Sequence, residues 1–81
     1  MKKTAEKQLR KLVRVQQDKL AASVLKKRKA AKLSQQALAS LAGIDRKTVN
    51  RIENGHFSPS MTTFLLLCDA MKVDARNFFG R

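Results

Sequence analysis

Several residue types are scarce in this sequence, and each shortage excludes a class of protein. Cysteine occurs once in 81 residues, at Cys68, so the chain can form neither an internal disulfide nor a multi-thiolate zinc site. The longest apolar run, Phe64–Cys68, is too short to span a bilayer or to form the core of a signal peptide. Tryptophan and tyrosine are absent and histidine occurs once, which leaves few groups for acid–base catalysis. We therefore expect no enzyme, no metal, no cofactor and no membrane span, and a cytoplasmic location.

Acidic residues are also few, and the chain is strongly basic as a result. It has 18 Lys and Arg against six Asp and Glu, a formal net charge of +12. Residues 1–33 contain twelve of the cations and only two acidic residues, Glu6 and Asp18, whereas residues 34–81 are nearly balanced. This asymmetry favours a polyanionic partner, either nucleic acid or an anionic membrane surface. A solvated basic helix that only keeps the protein soluble would show the same asymmetry.

Glycine and proline are rare enough that their positions indicate where helices end. Thr4–Leu33 contains neither and is rich in helix formers, so helix is predicted there. The polar middle of this segment, around Val15–Lys19, suggests a division into a basic N-terminal arm and a first core helix. We therefore predict a basic helical arm over 1–18 and a DNA-binding domain over 19–81.

Capping residues and breakers divide the rest of the chain into short helices. Serine or aspartate precedes each segment and accepts hydrogen bonds from its first turn, and glycine ends two of them. The predicted segments are 35–42 after Ser34, 46–54 after Asp45, 61–71 after Ser60, and a last turn over 75–79 after Asp74. No segment alternates between apolar and polar residues, so the fold class is all-α.

Two of these helices, joined by a short turn that contains Gly43, have the spacing of a helix-turn-helix over residues 35–54. Such a pair needs apolar residues where both helices face the core, a small residue at their crossing, and a residue that tolerates positive φ in the turn. Seven positions meet these needs: Leu38, Ala39, Ala42, Gly43, Ile44, Val49 and Ile52. This agreement is a far more specific signal than a single glycine-rich fragment.

The second motif helix presents a polar face opposite Val49 and Ile52. Its cations and amides are Arg46, Lys47, Asn50, Arg51 and Asn54. Arginine and lysine can donate to guanine O6 and N7, and asparagine can pair with adenine. This face therefore has the chemistry needed to read bases in the major groove of double-stranded DNA.

The segment from Ser34 to Gly55, SQQALASLAGIDRKTVNRIENG, resembles the helix-turn-helix of the XRE family, the Cro/cI-type or lambda-repressor-like DNA-binding domains. PSMTTFLLLCDAM, which begins at Pro59, and the following Val73 and Asp74 are similar to the family's fourth helix and the turn after it. The resemblance implies a five-helix bundle that binds a two-fold operator as a homodimer and regulates transcription, more often as a repressor. We expect the basic arm to be an addition to this bundle.

The resemblance also implies a role for individual residues. Base-reading positions are Arg46, Lys47, Asn50 and Arg51; DNA-backbone positions are Gln35, Thr48, Asn54 and Gly55; and a structural ion pair joins Arg28 to Glu53. The pair is also expected from spacing, because both charges lie on the inward faces of their helices and an unpaired buried charge is costly. The sequence departs from the family at Gln36 and Ala37, where no acidic residue follows the opening glutamine, and in the loop 56–58, which lacks a cation.

Several alternatives remain open from the sequence. Since the family includes antitoxins, the chain could instead bind a protein toxin and autoregulate its operon. A membrane-surface peptide is disfavoured, because the arm has no bulky aromatic anchors. The arm either adds contacts to DNA or packs through Leu9, Leu12 and Val13 on the core or on a partner subunit, of which packing is preferred. A nucleoid-associated location is expected.

Overall fold

The computed structural model describes residues 2–78, with side chains from Ala5 onward, and confirms an all-helical fold. Its helices are α1 (Lys2–Ala30), α2 (Gln35–Ala42), α3 (Arg46–Glu53) and α4 (Met61–Met71), followed by a 3-10 turn over Ala75–Phe78. The described residues thus form four α-helices, and the expected fifth is only this 3-10 turn. Phe79, which the sequence placed in that turn, lies outside the described residues.

Helix α1 is continuous, so the expected division between an arm and a first core helix is not a break in the backbone. Gln16, Gln17, Asp18 and Lys19, which suggested the division, supply neither a cap nor a breaker, and glutamine and lysine are good helix formers. The arm is therefore the N-terminal part of one long helix. Its 29 residues rise about 44 Å, which is close to the 46 Å length of the whole molecule.

The two motif helices begin and end where the caps predict. The Ser34 side chain accepts a hydrogen bond from Ala37 N, and that of Asp45 accepts one from Lys47 N. Gly43 follows α2 with φ +72°, a left-handed conformation that glycine adopts without steric cost. These caps fix the short connection that holds α3 at an angle to α2.

The core lies where α2 packs against α3 and α4 and where α1 passes over α3. Its largest fully buried side chains are Val24, Leu38, Val49, Ile52 and Leu67. The small residues Ala39 and Ala42 are also buried, and Ile44 packs against this cluster. All seven positions of the motif pattern thus have the environment that the sequence required, and α3 is anchored by one face.

The buried face of helix α4 contains different residues from those expected. The sequence grouped Met61 and Leu65 with Phe64, Cys68 and Met71, but Met61 is 62% and Leu65 48% exposed. Leu67 is buried instead, because the spacing Phe64, Leu67, Cys68, Met71 follows one face of a 3.6-residue helix. Phe64 meets Phe78 edge to face, with ring centroids 5.0 Å apart, which attaches the 3-10 turn to α4.

Cys68 is 3% exposed and fills the core as expected. Burial raises the pKa of its thiol, and the charge of Asp74 adds to that effect while Lys27 opposes it. A buried thiol held in its neutral form behaves as a small apolar side chain. Cys68 is therefore structural.

Candidate nucleic-acid interface

The outward face of α3 is polar, and the burial of its other face holds it in a fixed position. Arg46, Lys47 and Arg51 are exposed, whereas Val49 and Ile52 on the opposite face are at most 1% exposed. The side chains of Arg46 and Lys47 make no hydrogen bond or ion pair with any other described residue. These cations are thus free to meet an anionic partner while the helix beneath them is anchored.

Arg28 and Glu53 join α1 to the end of α3 through a buried ion pair. Arg28 Nε donates to Glu53 Oε2 at 2.6 Å and Nη2 donates to Oε1 at 3.1 Å, while Nη1 donates to the carbonyl of Leu33 at 2.8 Å. The two side chains are only 11% and 4% exposed. This bidentate contact sets the position of α3 relative to α1.

Arg28 stays charged because of this environment. The hydrogen bond to Glu53 raises the pKa of Arg28 above the ordinary arginine value. Desolvation by burial lowers this pKa, and the negative charge of Glu53 raises it further. A raised pKa means that the stabilisation is complete at every pH below the ordinary value and is lost only as the pH rises above it. The pair therefore holds throughout the physiological range.

A chain of side-chain amides continues from this ion pair along α3. Gln35 Nε2 donates to Glu53 Oε1 at 2.9 Å, and Asn50 Nδ2 donates to Gln35 Oε1 at 3.3 Å. Asn54 Nδ2 in turn donates to the backbone carbonyl and the side-chain Oδ1 of Asn50, at 2.9 and 3.0 Å. Arg28, Glu53, Gln35, Asn50 and Asn54 thus form one connected network that links α1, α2 and α3.

This network engages three residues for which the sequence predicted contacts with DNA. Asn50 is half-buried, and both groups of its amide are bonded within the motif, unlike the exposed Arg46 and Arg51. The Gln35 amide lies between Glu53 and Asn50, at the start of α2. If these amides contact DNA, they must either share or break the hydrogen bonds that they make within the motif. Arg46 and Lys47 can contact DNA without breaking any such bond.

The other two backbone-contact positions lie at the two ends of α3. Thr48 is half-buried in its first turn. Gly55 is buried after its last residue with φ +73°, and a Cβ there would meet Asp18 Oδ1 at 3.0 Å. Both the left-handed backbone and the close approach of α1 favour glycine at this position. The structure places the loop that follows α3 directly against α1.

Phe57, in that loop, is a residue that the sequence reasoning missed. The guanidinium carbon of Arg51 lies 5.5 Å from the centroid of the Phe57 ring, within the range of a cation–π contact. The sequence does not predict this contact, because a spacing of six residues between an arginine and an aromatic residue has no fixed geometry. The turn at Gly55 is what brings the ring to Arg51. The ring lies where it can restrict the directions in which Arg51 extends.

A helix-turn-helix family model, HTH_3, matches residues 24–78, which is more than half of the chain. The chain belongs to the XRE family of helix-turn-helix proteins. It is accordingly a DNA-binding protein of the transcription-regulator type. The family match begins inside α1, so the whole of the basic arm over 1–18 precedes it.

Solved structures of similar proteins share the fold. The restriction-modification controller protein C.AhdI from Aeromonas hydrophila is 33% identical with a TM-score of 0.75, over 78% of this chain and 96% of its own. An HTH_3 family transcriptional regulator from Vibrio cholerae is 25% identical with a TM-score of 0.78, over 83% of this chain but only 38% of its own. The wild-type restriction-modification controller protein C.Esp1396I, at 22% identity and a TM-score of 0.74, is similar in fold; it is matched over 79% of this chain and 83% of its own. No curated protein matches the sequence.

Between residues 2 and 78, no group of three or more His, Cys, Asp or Glu side chains is placed to hold a metal ion. Within the same residues, no helix combines the length and the apolar character needed to cross a bilayer.

Proposed function

We propose that this protein is a sequence-specific transcriptional repressor that binds a two-fold operator as a homodimer. Helix α3 enters the major groove, where Arg46, Lys47 and Arg51 read base edges and Asn50 contributes from a neighbouring position. The observation that carries this proposal is the exposure of three cations on a helix whose other face is fully buried. A rigid helix that presents free donors is the arrangement that direct readout requires.

Contacts with the DNA backbone complete the proposed docking. Thr48 lies in the first turn of α3, Asn54 and Gly55 follow its last residue, and Gln35 opens α2 beside Asn50 and Glu53. Such contacts set the register of the protein on the duplex but carry no sequence information. In a two-fold complex the two half-sites would lie about 34 Å apart, one turn of the double helix.

Similarity to C.AhdI, over nearly the whole of that protein, supports a regulator of the controller kind. None of the three similar structures named above is described as an antitoxin. The genes that neighbour this one offer an inexpensive check. Restriction and modification genes would support a controller, whereas an adjacent toxin gene would favour the alternative.

The proposal is tested by selecting bound duplexes from a random pool and then measuring affinity for the selected and for random sequences at one salt concentration. Selected DNA should bind at least 10³-fold more tightly, the lower end of the usual range for specific binders. Sedimentation of the complex should give two protein chains per selected duplex. Equal affinity for selected and random DNA would refute sequence-specific regulation.

Phe57 should sharpen the selectivity of Arg51. Replacing Phe57 by leucine keeps the apolar bulk but removes the ring, which at an exposed site should cost about 0.5–1 kcal/mol. The affinity for the selected duplex should fall two- to fivefold. The affinity for duplexes altered at the base pair that Arg51 reads should fall by less. Phe57→Tyr is the control and should retain the wild-type affinity.

A double-mutant cycle isolates this contact from a general effect on the loop. In an Arg51→Ala background, Phe57→Leu should have no further effect on binding, because the partner of the ring is already absent. The same loss with and without Arg51 would show that Phe57 does not act through this arginine.

A further inference from the structure

Within the basic arm over 1–18, residues 5–16 of α1 are helical and contribute nothing to the core. Every one of these residues is exposed, and the family match begins only at residue 24. The sequence favoured packing of Leu9, Leu12 and Val13 on the core or on a partner subunit. In the single chain they are 54–60% exposed and do not belong to the core, so packing on a partner subunit stays a prediction. The arm continues a helix that the bundle anchors through Ala21, Val24 and Arg28, so its exposed faces are held in a fixed direction.

The arm carries its charge and its apolar residues on opposite faces. Lys7, Arg10, Lys11 and Arg14 are spaced i, i+3, i+4 and i+7, which places them along one face of an α-helix, here called the basic face. Leu9, Leu12 and Val13 have the same kind of spacing about half a turn away. The arm is therefore amphipathic in a defined orientation, which evenly distributed lysines would not produce.

The basic face lies on the side of α1 that turns toward α3. One helical turn after Arg14, Asp18 pairs with it at 3.5 Å and lies against Gly55 in the loop after α3. Two turns after Arg10, Gln17 donates to Ser58 Oγ in the same loop at 2.7 Å. The basic face is thus continuous along α1 with Gln17 and Asp18. These two residues contact the loop that follows α3, at the end of the proposed DNA-binding surface.

The apolar face of the arm continues along α1 toward α4. Two turns after Val13, Leu20 lines a groove of about 430 Å³ whose other walls include Met61, Phe64 and Phe78. These residues belong to α4 and to the 3-10 turn, away from α3. Leu12 and Val13 also line a shallower groove with Gln17, Leu20 and Ser58, so the apolar residues of α1 face α4 and the loop before it. The cations of the basic face lie on the other side of this groove.

We infer that the basic face of the arm binds backbone phosphates of duplex DNA that flank the segment read by α3. The inference rests on the proposed function and extends it to an interface outside the family domain. Duplex phosphates are the anions that would lie beside the loop at Gly55, and Lys7 extends the basic surface about 15 Å beyond Gln17. A second copy is a poorer partner for this face, because two segments of the same strong positive charge repel each other.

The test compares two variants of the full chain that remove the same charge from different sides of α1. Lys7→Gln/Arg10→Gln neutralises the basic face, and Lys19→Gln/Lys26→Gln neutralises two exposed lysines turned away from it. Glutamine retains helix propensity, which circular dichroism verifies. Each protein is titrated over a range of salt concentrations against a selected duplex with long flanks and against one that ends at the edges of the site.

On the long duplex, the first variant should lower the slope of log K against log salt by about 2, because each lost phosphate contact removes about 0.9. On the short duplex its slope should match that of the wild type, and the control variant should change neither slope by as much as 1. Discrimination between selected and random DNA should be unchanged, since phosphates carry no sequence information.

Two results would overturn the inference. Equal slopes for the two variants on the long duplex would show that the basic face contacts no phosphate. A change in the sedimentation of the free protein, without a change in slope, would assign this face to a subunit contact. Failure of the proposed function would be seen separately, as wild-type protein that does not prefer selected DNA.

Discussion

Replacing Glu53 by alanine should lower the free energy of unfolding by about 3–5 kcal/mol. The change leaves the guanidinium of Arg28 buried, at 11% exposure, without the carboxylate that neutralises it. It also removes the acceptor of the Gln35 amide, so the network along α3 loses its link to α1. Urea denaturation followed by circular dichroism measures the loss by linear extrapolation.

An exposed ion pair on the same helix provides the control. Arg14 and Asp18 are 64% and 60% exposed, and Arg14→Ala should change the free energy of unfolding by less than about 0.5 kcal/mol. If Glu53→Ala does not fold, the double variant Arg28→Met/Glu53→Leu keeps the prediction testable. It should be more stable than the single variant, because no unpaired buried charge remains. A loss below about 0.5 kcal/mol for Glu53→Ala would contradict the importance of the pair.

Replacing Arg51 by alanine should weaken binding to the selected duplex by about 1–3 kcal/mol, roughly five- to 150-fold. The physical reason is the loss of a bidentate donor to a base edge from a helix that the core holds in place. Selectivity should relax at one base pair of each half-site and stay unchanged at the others. Competition binding against duplexes with single base-pair changes measures both effects.

Arg76→Ala is a matched control for this loss, since it removes an exposed arginine of the 3-10 turn that pairs with Asp74 at 2.7 Å. Its affinity for selected DNA and its preference at every base pair should equal those of the wild type. A uniform loss for Arg51→Ala across all sequences would assign this residue to the backbone instead.

Much of the motif could be predicted because its determinants are local. Ser34, Asp45 and Gly43 act on the turns next to them, so caps and a left-handed glycine identify the bounds of α2 and α3 within a residue. The contact between Arg28 and Glu53 could also be anticipated, since both charges had to face inward on helices that cross. The exposure of α3 cations followed from the burial of Val49 and Ile52.

The amide network and the contact of Phe57 could not be predicted in the same way. Asn50 lies between Gln35 and Asn54 only because α2 and α3 cross at a particular angle. The ring of Phe57 reaches Arg51 only because the chain reverses at Gly55. Such contacts depend on the relative placement of several elements, about which spacing within one helix carries no information.

Helix α1 shows most clearly which properties the sequence determines and which depend on the tertiary structure. Its sequence alone determined that the chain is basic at the N-terminus, helical and free of breakers, because charge and helix propensity are properties of the residues themselves. Where those charges lie relative to α3 was decided by the tertiary structure, through the packing of Asp18 against Gly55 and the pairing of Arg28 with Glu53. These contacts set the rotation of α1 about its own axis, and that rotation determines which partner each face of the arm can meet.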